Sequence, residues 1–106
     1  MKVRVWFSYD LGIDGDYENL YTWLDSKEAV ECGDSCASFV YSFKKDLIQE
    51  LLKELKANVQ FRSKDRIYII SFRGDRVFGK FILGKRRRAP WAGYAVEPGE
   101  EAMDEG

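Results

Sequence analysis

Apolar residues change their spacing along this chain, and that change limits the folds it can adopt. Residues 45–57 carry apolar side chains at intervals of three and four, and these are Leu47, Ile48, Leu51, Leu52 and Leu55. That spacing predicts an amphipathic helix. In residues 2–9, Val3, Val5, Phe7 and Tyr9 instead alternate with a second set of residues, Lys2, Arg4, Trp6 and Ser8. This period of two predicts a strand that ends near Asp10.

Three further segments have clear patterns. Asp16 occupies an N-cap position before residues 17–27, where Tyr17, Leu20, Tyr21 and Leu24 share one helical face. Residues 66–72 and 77–83 are strand-like, and the Gly74-Asp75 pair between them indicates an antiparallel hairpin.

Residues 29–43 allow two interpretations. The Gly33-Asp34 pair is typical of a hairpin, which would divide the stretch into a short strand near 29–32 and a longer one near 35–42. The alternative is one strand with a bulge at Gly33. Cys32 and Cys36 lie in this stretch as C-x-x-x-C, and we interpret them as small buried thiols.

The order strand, helix, hairpin, helix, strand, strand predicts an α+β fold. We expect a ferredoxin-like split βαβ arrangement, with two helices on one face of a mostly antiparallel sheet and an extra C-terminal edge strand. The 106 residues suit one domain, here residues 1–94, followed by an acidic disordered tail over 95–106. Because the last strand leaves an exposed edge, a homodimer is expected to cover it.

Charge is segregated along the chain. The net charge is −1, yet residues 62–88 hold 10 Lys and Arg against Asp65 and Asp75. The chain contains no histidine, which excludes imidazole-dependent hydrolases and histidine-ligated zinc. No apolar leader or membrane-spanning run is visible, so no membrane partner and a cytoplasmic location are expected.

The basic stretch ends in four consecutive cations, Lys85, Arg86, Arg87 and Arg88. With Arg73 and Arg76 these could follow a phosphate backbone, while Trp91 and Tyr94 stack on unpaired bases, so nucleic acid (RNA rather than DNA) is the expected partner. The alternative is a solvated edge whose cations prevent aggregation. Trp6, opposite Val5 and Phe7, is available for a base or a dimer partner. The acidic tail either competes with a polyanion for the cations or only solubilises the chain.

Three carboxylates lie close together in sequence, Asp10, Asp14 and Asp16. Magnesium prefers such oxygen ligands, and a metal-activated water could attack a phosphodiester. The alternative is that Asp14 and Asp16 are turn and N-cap residues and that Asp10 only ends a strand.

Residues 2–83 also resemble a known family. The likeness lies in the strand ending Tyr9-Asp10, the strand Ser38-Phe39-Val40-Tyr41, the Leu-rich helix and the stretch 65–70. These are similar to the small CRISPR-associated nucleases that partner the spacer integrase, and to the virulence-associated protein D ribonucleases. The resemblance implies a homodimer in which Asp10 of each subunit holds Mg²⁺ or Mn²⁺ and acts catalytically.

The sequence-based hypothesis is therefore a nucleic-acid-binding protein, and specifically a metal-dependent endoribonuclease that acts on single-stranded RNA. Two alternatives stay open. One is a non-enzymatic protein-interaction module, and the other is an inhibitor or antitoxin-like binder of an acidic partner.

Overall fold

A computed structural model describes residues 1–95 of the protein. Its elements are β1 Lys2–Asp10, α1 Tyr17–Ser26, β2 Val30–Glu31, β3 Cys36–Ser42, α2 Leu47–Asn58, β4 Arg66–Arg73 and β5 Arg76–Leu83. The predicted α+β class is confirmed. From residue 96 onward, the acidic tail predicted over 95–106 lies outside the described residues.

The five strands form one sheet in the order β2-β3-β1-β4-β5. All neighbouring strands are antiparallel, and β1 lies in the centre of the sheet. The C-terminal strand β5 lies at an edge, beyond β4. The finer, ferredoxin-like assignment stays a prediction.

The ambiguous stretch 29–43 forms a hairpin. Val30 pairs with Ser38, and Gly33 has a φ of +111° that suits glycine. The hairpin interpretation is therefore confirmed, and the single bulged strand is wrong. Both cysteines are free thiols, and Cys32 is exposed, which corrects the expectation that both would be buried.

Both helices pack on the same side of the sheet, around one hydrophobic core. Its buried residues are Val5, Phe7, Leu11, Leu20, Trp23, Leu24, Ala37, Phe39, Tyr41, Leu47, Leu51, Leu55, Val59, Ile67, Ile69 and Ile82. Each helix begins at an aspartate, because Asp16 accepts a hydrogen bond from the Asn19 N–H and Asp46 from the Gln49 N–H. The predicted N-cap at Asp16 is confirmed. Neither helix in residues 1–95 is long and apolar enough to cross a bilayer.

Strand alternation directs a second set of side chains to the opposite side of the sheet, which we call the open face. Since Val5, Phe7, Ile67 and Ile69 are buried against the helices, their strand neighbours must point the other way. On β1, β4 and β5 the open face comprises Arg4, Trp6, Ser8, Asp10, Arg66, Tyr68, Ile70, Phe72, Val77, Gly79 and Phe81. The candidate functional site lies on and beside this open face.

Candidate nucleic-acid interface

The open face carries aromatic rings that remain partly accessible. Trp6 and Phe72 meet edge to face with ring centroids 6.0 Å apart, and Tyr68 meets Phe81 at 4.8 Å. Ile70 and Phe72 are each 40% exposed. Accessible rings on a sheet face, side by side rather than scattered, are typical of a binding surface.

Arginines lie over these rings. The guanidinium carbon of Arg86 is 5.7 Å from the Tyr68 ring centre and 5.3 Å from that of Phe81, and that of Arg66 is 5.6 Å from Phe81. These are cation–π distances. Arg86 follows the end of β5, so the basic segment 85–88 folds onto the open face at its start.

Gly84 determines this path. It has a φ of +75°, and a Cβ built on it would lie 2.8 Å from the carbonyl oxygen of Asp65. The chain after β5 therefore passes close to the start of β4. Two hydrogen bonds hold it there, from Arg66 Nη1 to the Lys85 carbonyl (3.4 Å) and from Arg87 Nη2 to the Lys64 carbonyl (3.1 Å).

This close approach forms a groove of about 600 Å³ with many cations on its walls. It is lined by Ser63, Lys64, Asp65, Arg66, Gly84, Lys85, Arg86 and Arg87, and we call it the basic groove. The groove brings Lys64 and Arg66 together with residues that are some twenty positions later in sequence. Phosphate oxygens are the natural ligands of such a cluster.

Asp65 has a structural part in the basic groove that sequence reasoning missed. It is only 2% exposed, and its oxygens accept the Gly12 N–H (3.1 Å) and the Arg62 N–H (2.8 Å). The carboxylate thereby joins the loop after β1 to the loop before β4. The sequence feature that could have indicated this role is the position of Asp65, an acidic residue inside the strongly basic stretch 62–88.

Asp10, the predicted catalytic residue, lies on the open face at the end of β1. It pairs across the sheet with Arg66, whose Nη2 and Nε donate to its Oδ2 at 2.6 and 3.1 Å. The Asp10 side chain is 53% exposed. It lines a pocket of about 330 Å³ together with Ser8, Arg66, Tyr68, Phe81 and Arg86, which we call the Asp10 pocket.

The other two predicted metal ligands are used differently. Asp16 caps α1 and also accepts the Gln60 N–H at 2.9 Å. Hydrogen bonds from Gln60 and then from Asn19 lower the pKa of Asp16. Asp14 is exposed in the turn before α1.

Asp16 thus caps α1 and Asp14 lies in the turn before it, and a Mg²⁺ or Mn²⁺ site shared by Asp10, Asp14 and Asp16 stays a prediction. Residues 1–95 contain no group of three or more His, Cys, Asp or Glu that could hold a metal ion. A metal held between Asp10 of two copies stays a prediction of the family resemblance.

The remaining predicted nucleic-acid residues do not line the basic groove, and these are Arg73, Arg76, Arg88, Trp91 and Tyr94. Arg73 and Arg76 face each other at the β4–β5 turn, separated from Lys85 by the length of β5, roughly 25 Å for eight residues. The Arg73 guanidinium stacks on Phe78 at 4.7 Å. Trp91 and Tyr94 are 73% and 85% exposed in the turn after the basic segment, where they are accessible to a ligand.

A pocket of about 620 Å³, beside β3 and α2, lies away from these residues. Its carboxylates already have partners within the chain. Glu50 accepts N–H groups at the start of α2, and Glu54 accepts from the Tyr41 hydroxyl at 2.8 Å and the Trp23 indole at 2.9 Å. These two carboxylates therefore bind groups of the protein itself.

The fold thus defines the class of the protein, a small α+β domain with one sheet face open. The chain matches no protein-family model, no curated protein and no solved structure. The similarity to the CRISPR-associated nucleases stays a prediction.

Proposed function

We propose that the protein binds single-stranded nucleic acid, RNA rather than DNA, through the basic groove and the adjoining open face. The observation that carries the proposal is the placement of Arg86 over the Tyr68 and Phe81 rings, directly beside Lys64, Lys85 and Arg87. Positive charges that can bind phosphates therefore lie next to flat surfaces that can stack on bases.

The chemistry of the surface favours an unpaired strand. Rings on a sheet face can contact bases only if these are turned outward, as in a single strand. Each phosphate neutralised by Lys or Arg releases counterions, so affinity should fall steeply with salt. A mere edge-protecting role needs cations but does not require aromatic rings to accompany them.

Hydrolysis is a further part of the hypothesis. A metal-dependent endoribonuclease would need Asp10 from both copies of a homodimer, with Asp14 or Asp16 assisting and Mg²⁺ or Mn²⁺ between the subunits. Asp10 is exposed enough for such a contact, but it already pairs with Arg66. We propose the binding function for a cytoplasmic protein, and cleavage as a second activity that binding does not require.

The test is binding of a fluorescent single-stranded RNA of about 20 nucleotides, with EDTA present, over a series of salt concentrations. Replacing Lys85, Arg86, Arg87 and Arg88 with Gln should weaken binding at least tenfold and lower the salt slope by about 3. The matched control replaces Lys44, Lys45, Lys53 and Lys56, which lie before and along α2, with Gln. Both variants lose four positive charges, and the control should change affinity far less.

Equal losses in the two variants would mean that only net charge matters and would contradict a defined interface. An absence of salt-dependent binding by the native chain would favour the alternative, a module or antitoxin-like binder that docks an acidic protein. Metal-dependent cleavage is then assayed separately with Mg²⁺ or Mn²⁺ and with Asp10→Asn.

A further inference from the structure

The Asp10 pocket differs from the rest of the interface because it combines flat cationic and aromatic surfaces with one carboxylate. Its volume of about 330 Å³ falls at the lower end of small-molecule sites, which run from ~300 to ~1,000 Å³. The pocket opens on the open face, next to the basic groove, with which it shares Arg66 and Arg86. A strand held by the groove would therefore reach this pocket with one of its bases.

Flat surfaces line the pocket. The Phe81 ring lies near two guanidinium groups, 5.6 Å from Arg66 and 5.3 Å from Arg86, and Tyr68 packs edge to face on Phe81. Gly79 leaves space for the Tyr68 ring, because a Cβ there would lie 2.9 Å from Tyr68 Cζ. Rings and guanidinium planes both stack on nucleobases.

The carboxylate adds a hydrogen-bonding preference. Arg66 donates twice to Oδ2 of Asp10, while Oδ1 accepts no hydrogen bond within residues 1–95. An ionised carboxylate can only accept hydrogen bonds. The amino group of cytosine is a donor that suits Oδ1, whereas uracil presents a carbonyl oxygen at the same ring position and would be repelled.

We propose that the Asp10 pocket binds one unpaired base that carries an exocyclic amino group, and that it selects cytosine over uracil. This inference rests on the proposed function, since it assigns a specificity to the same interface. Arg66 positions the carboxylate, Arg86 and Phe81 provide the stacking surface, and Asp10 reads the base.

The experiment compares oligocytidine and oligouridine of equal length, at one salt concentration and with EDTA present so that hydrolysis cannot interfere. The two oligonucleotides have the same charge, and their bases have the same ring size. The native chain should bind oligocytidine about tenfold more tightly, as expected for one hydrogen bond to a charged group. Asp10→Asn, whose amide can also donate to uracil, should reduce that ratio to near one.

The control is Asp75→Asn, which removes another exposed carboxylate at the far end of the β4–β5 hairpin. It raises the net charge equally and should preserve the tenfold ratio. Equal binding of both strands by the native chain, or an unchanged ratio in Asp10→Asn, would overturn the inference and leave the proposed function intact. Failure of the native chain to bind either strand would overturn both.

Discussion

Glu50 shows how a single side chain can organise the start of a helix. Its carboxylate accepts the backbone N–H groups of Lys44, Lys45 and Asp46 at 2.9, 2.8 and 2.9 Å. These hydrogen bonds, led by that from Asp46, lower the pKa of Glu50 from 4.5 to about 2. The charged form is therefore favoured in the folded state, which links the stability of the fold to pH.

We expect Glu50→Gln to lower the stability of the fold at neutral pH. Because the pKa of Glu50 is lower in the folded chain, its contribution is present above about 4.5 and is lost as the pH falls toward about 2. The difference between native and variant urea midpoints should therefore be largest near pH 7 and shrink between pH 4.5 and 2. Asp25→Asn, an exposed substitution on α1, is the control. A difference that is constant over this range would contradict the assigned role.

Local residue roles were predictable where they depend on neighbours in sequence. The N-cap role of Asp16 follows from its position before an apolar helical face, and the structure confirms it. The pairing of Asp10 with Arg66 was not predictable, because it depends on the register of two strands 56 residues apart. For the same reason, the sequence did not indicate that Tyr68 and Phe81 share the open face with Trp6, because this depends on how the strands pair.

At the scale of secondary-structure elements, the Glu54 carboxylate connects three of them, α1, α2 and β3. Glu54 on α2 accepts hydrogen bonds from Trp23 of α1 and Tyr41 of β3, and it forms an ion pair of 2.5 Å with Lys27. Burial alone would raise the pKa of Glu54, but the hydrogen bonds from Lys27, Tyr41 and Trp23 outweigh it and lower the pKa. The pKa of Tyr41 is raised, through burial and through Glu54.

Glu54→Ala should reduce the free energy of unfolding by about 2 kcal/mol, because it leaves two part-buried donors without their acceptor. Glu54→Gln keeps an acceptor oxygen and should cost about half as much. Lys53→Ala, an exposed change on the same helix, should stay within about 0.5 kcal/mol. Chemical denaturation monitored by tryptophan fluorescence measures all three. A Glu54→Ala effect no larger than that of Lys53→Ala would show that the cluster does not stabilise the fold.

The existence of the elements was more predictable than their pairing. The 3.6-residue period located α2 to within two residues at each end, and the period of two located β1. The bulge in β5, where Tyr68 pairs with Phe81 but Ile67 pairs with Leu83, leaves Ile82 as an extra residue. The apolar pattern of β5 does not indicate this extra residue. The bulge instead reflects how β5 must twist to place both Phe81 and Ile82.

Over the whole molecule, opposite charges are kept in separate stretches of sequence. Residues 62–88 supply most of the cations of the proposed interface, while residues 96–106 add Glu97, Glu100, Glu101, Asp104 and Glu105. We expect these five carboxylates to compete with phosphate for the cations. The alternative is that they only solubilise the chain.

Removal of residues 96–106 should therefore tighten binding to single-stranded RNA, since the loss of five carboxylates changes the net charge from −1 to +4. The gain should be several-fold at low salt and should diminish as salt screens the charges. A full-length variant with those five residues replaced by Gln or Asn separates charge from length and should behave like the truncation. If affinity is unchanged in both variants, the acidic stretch does not compete for the basic groove, and its effect on the chain is confined to solubility.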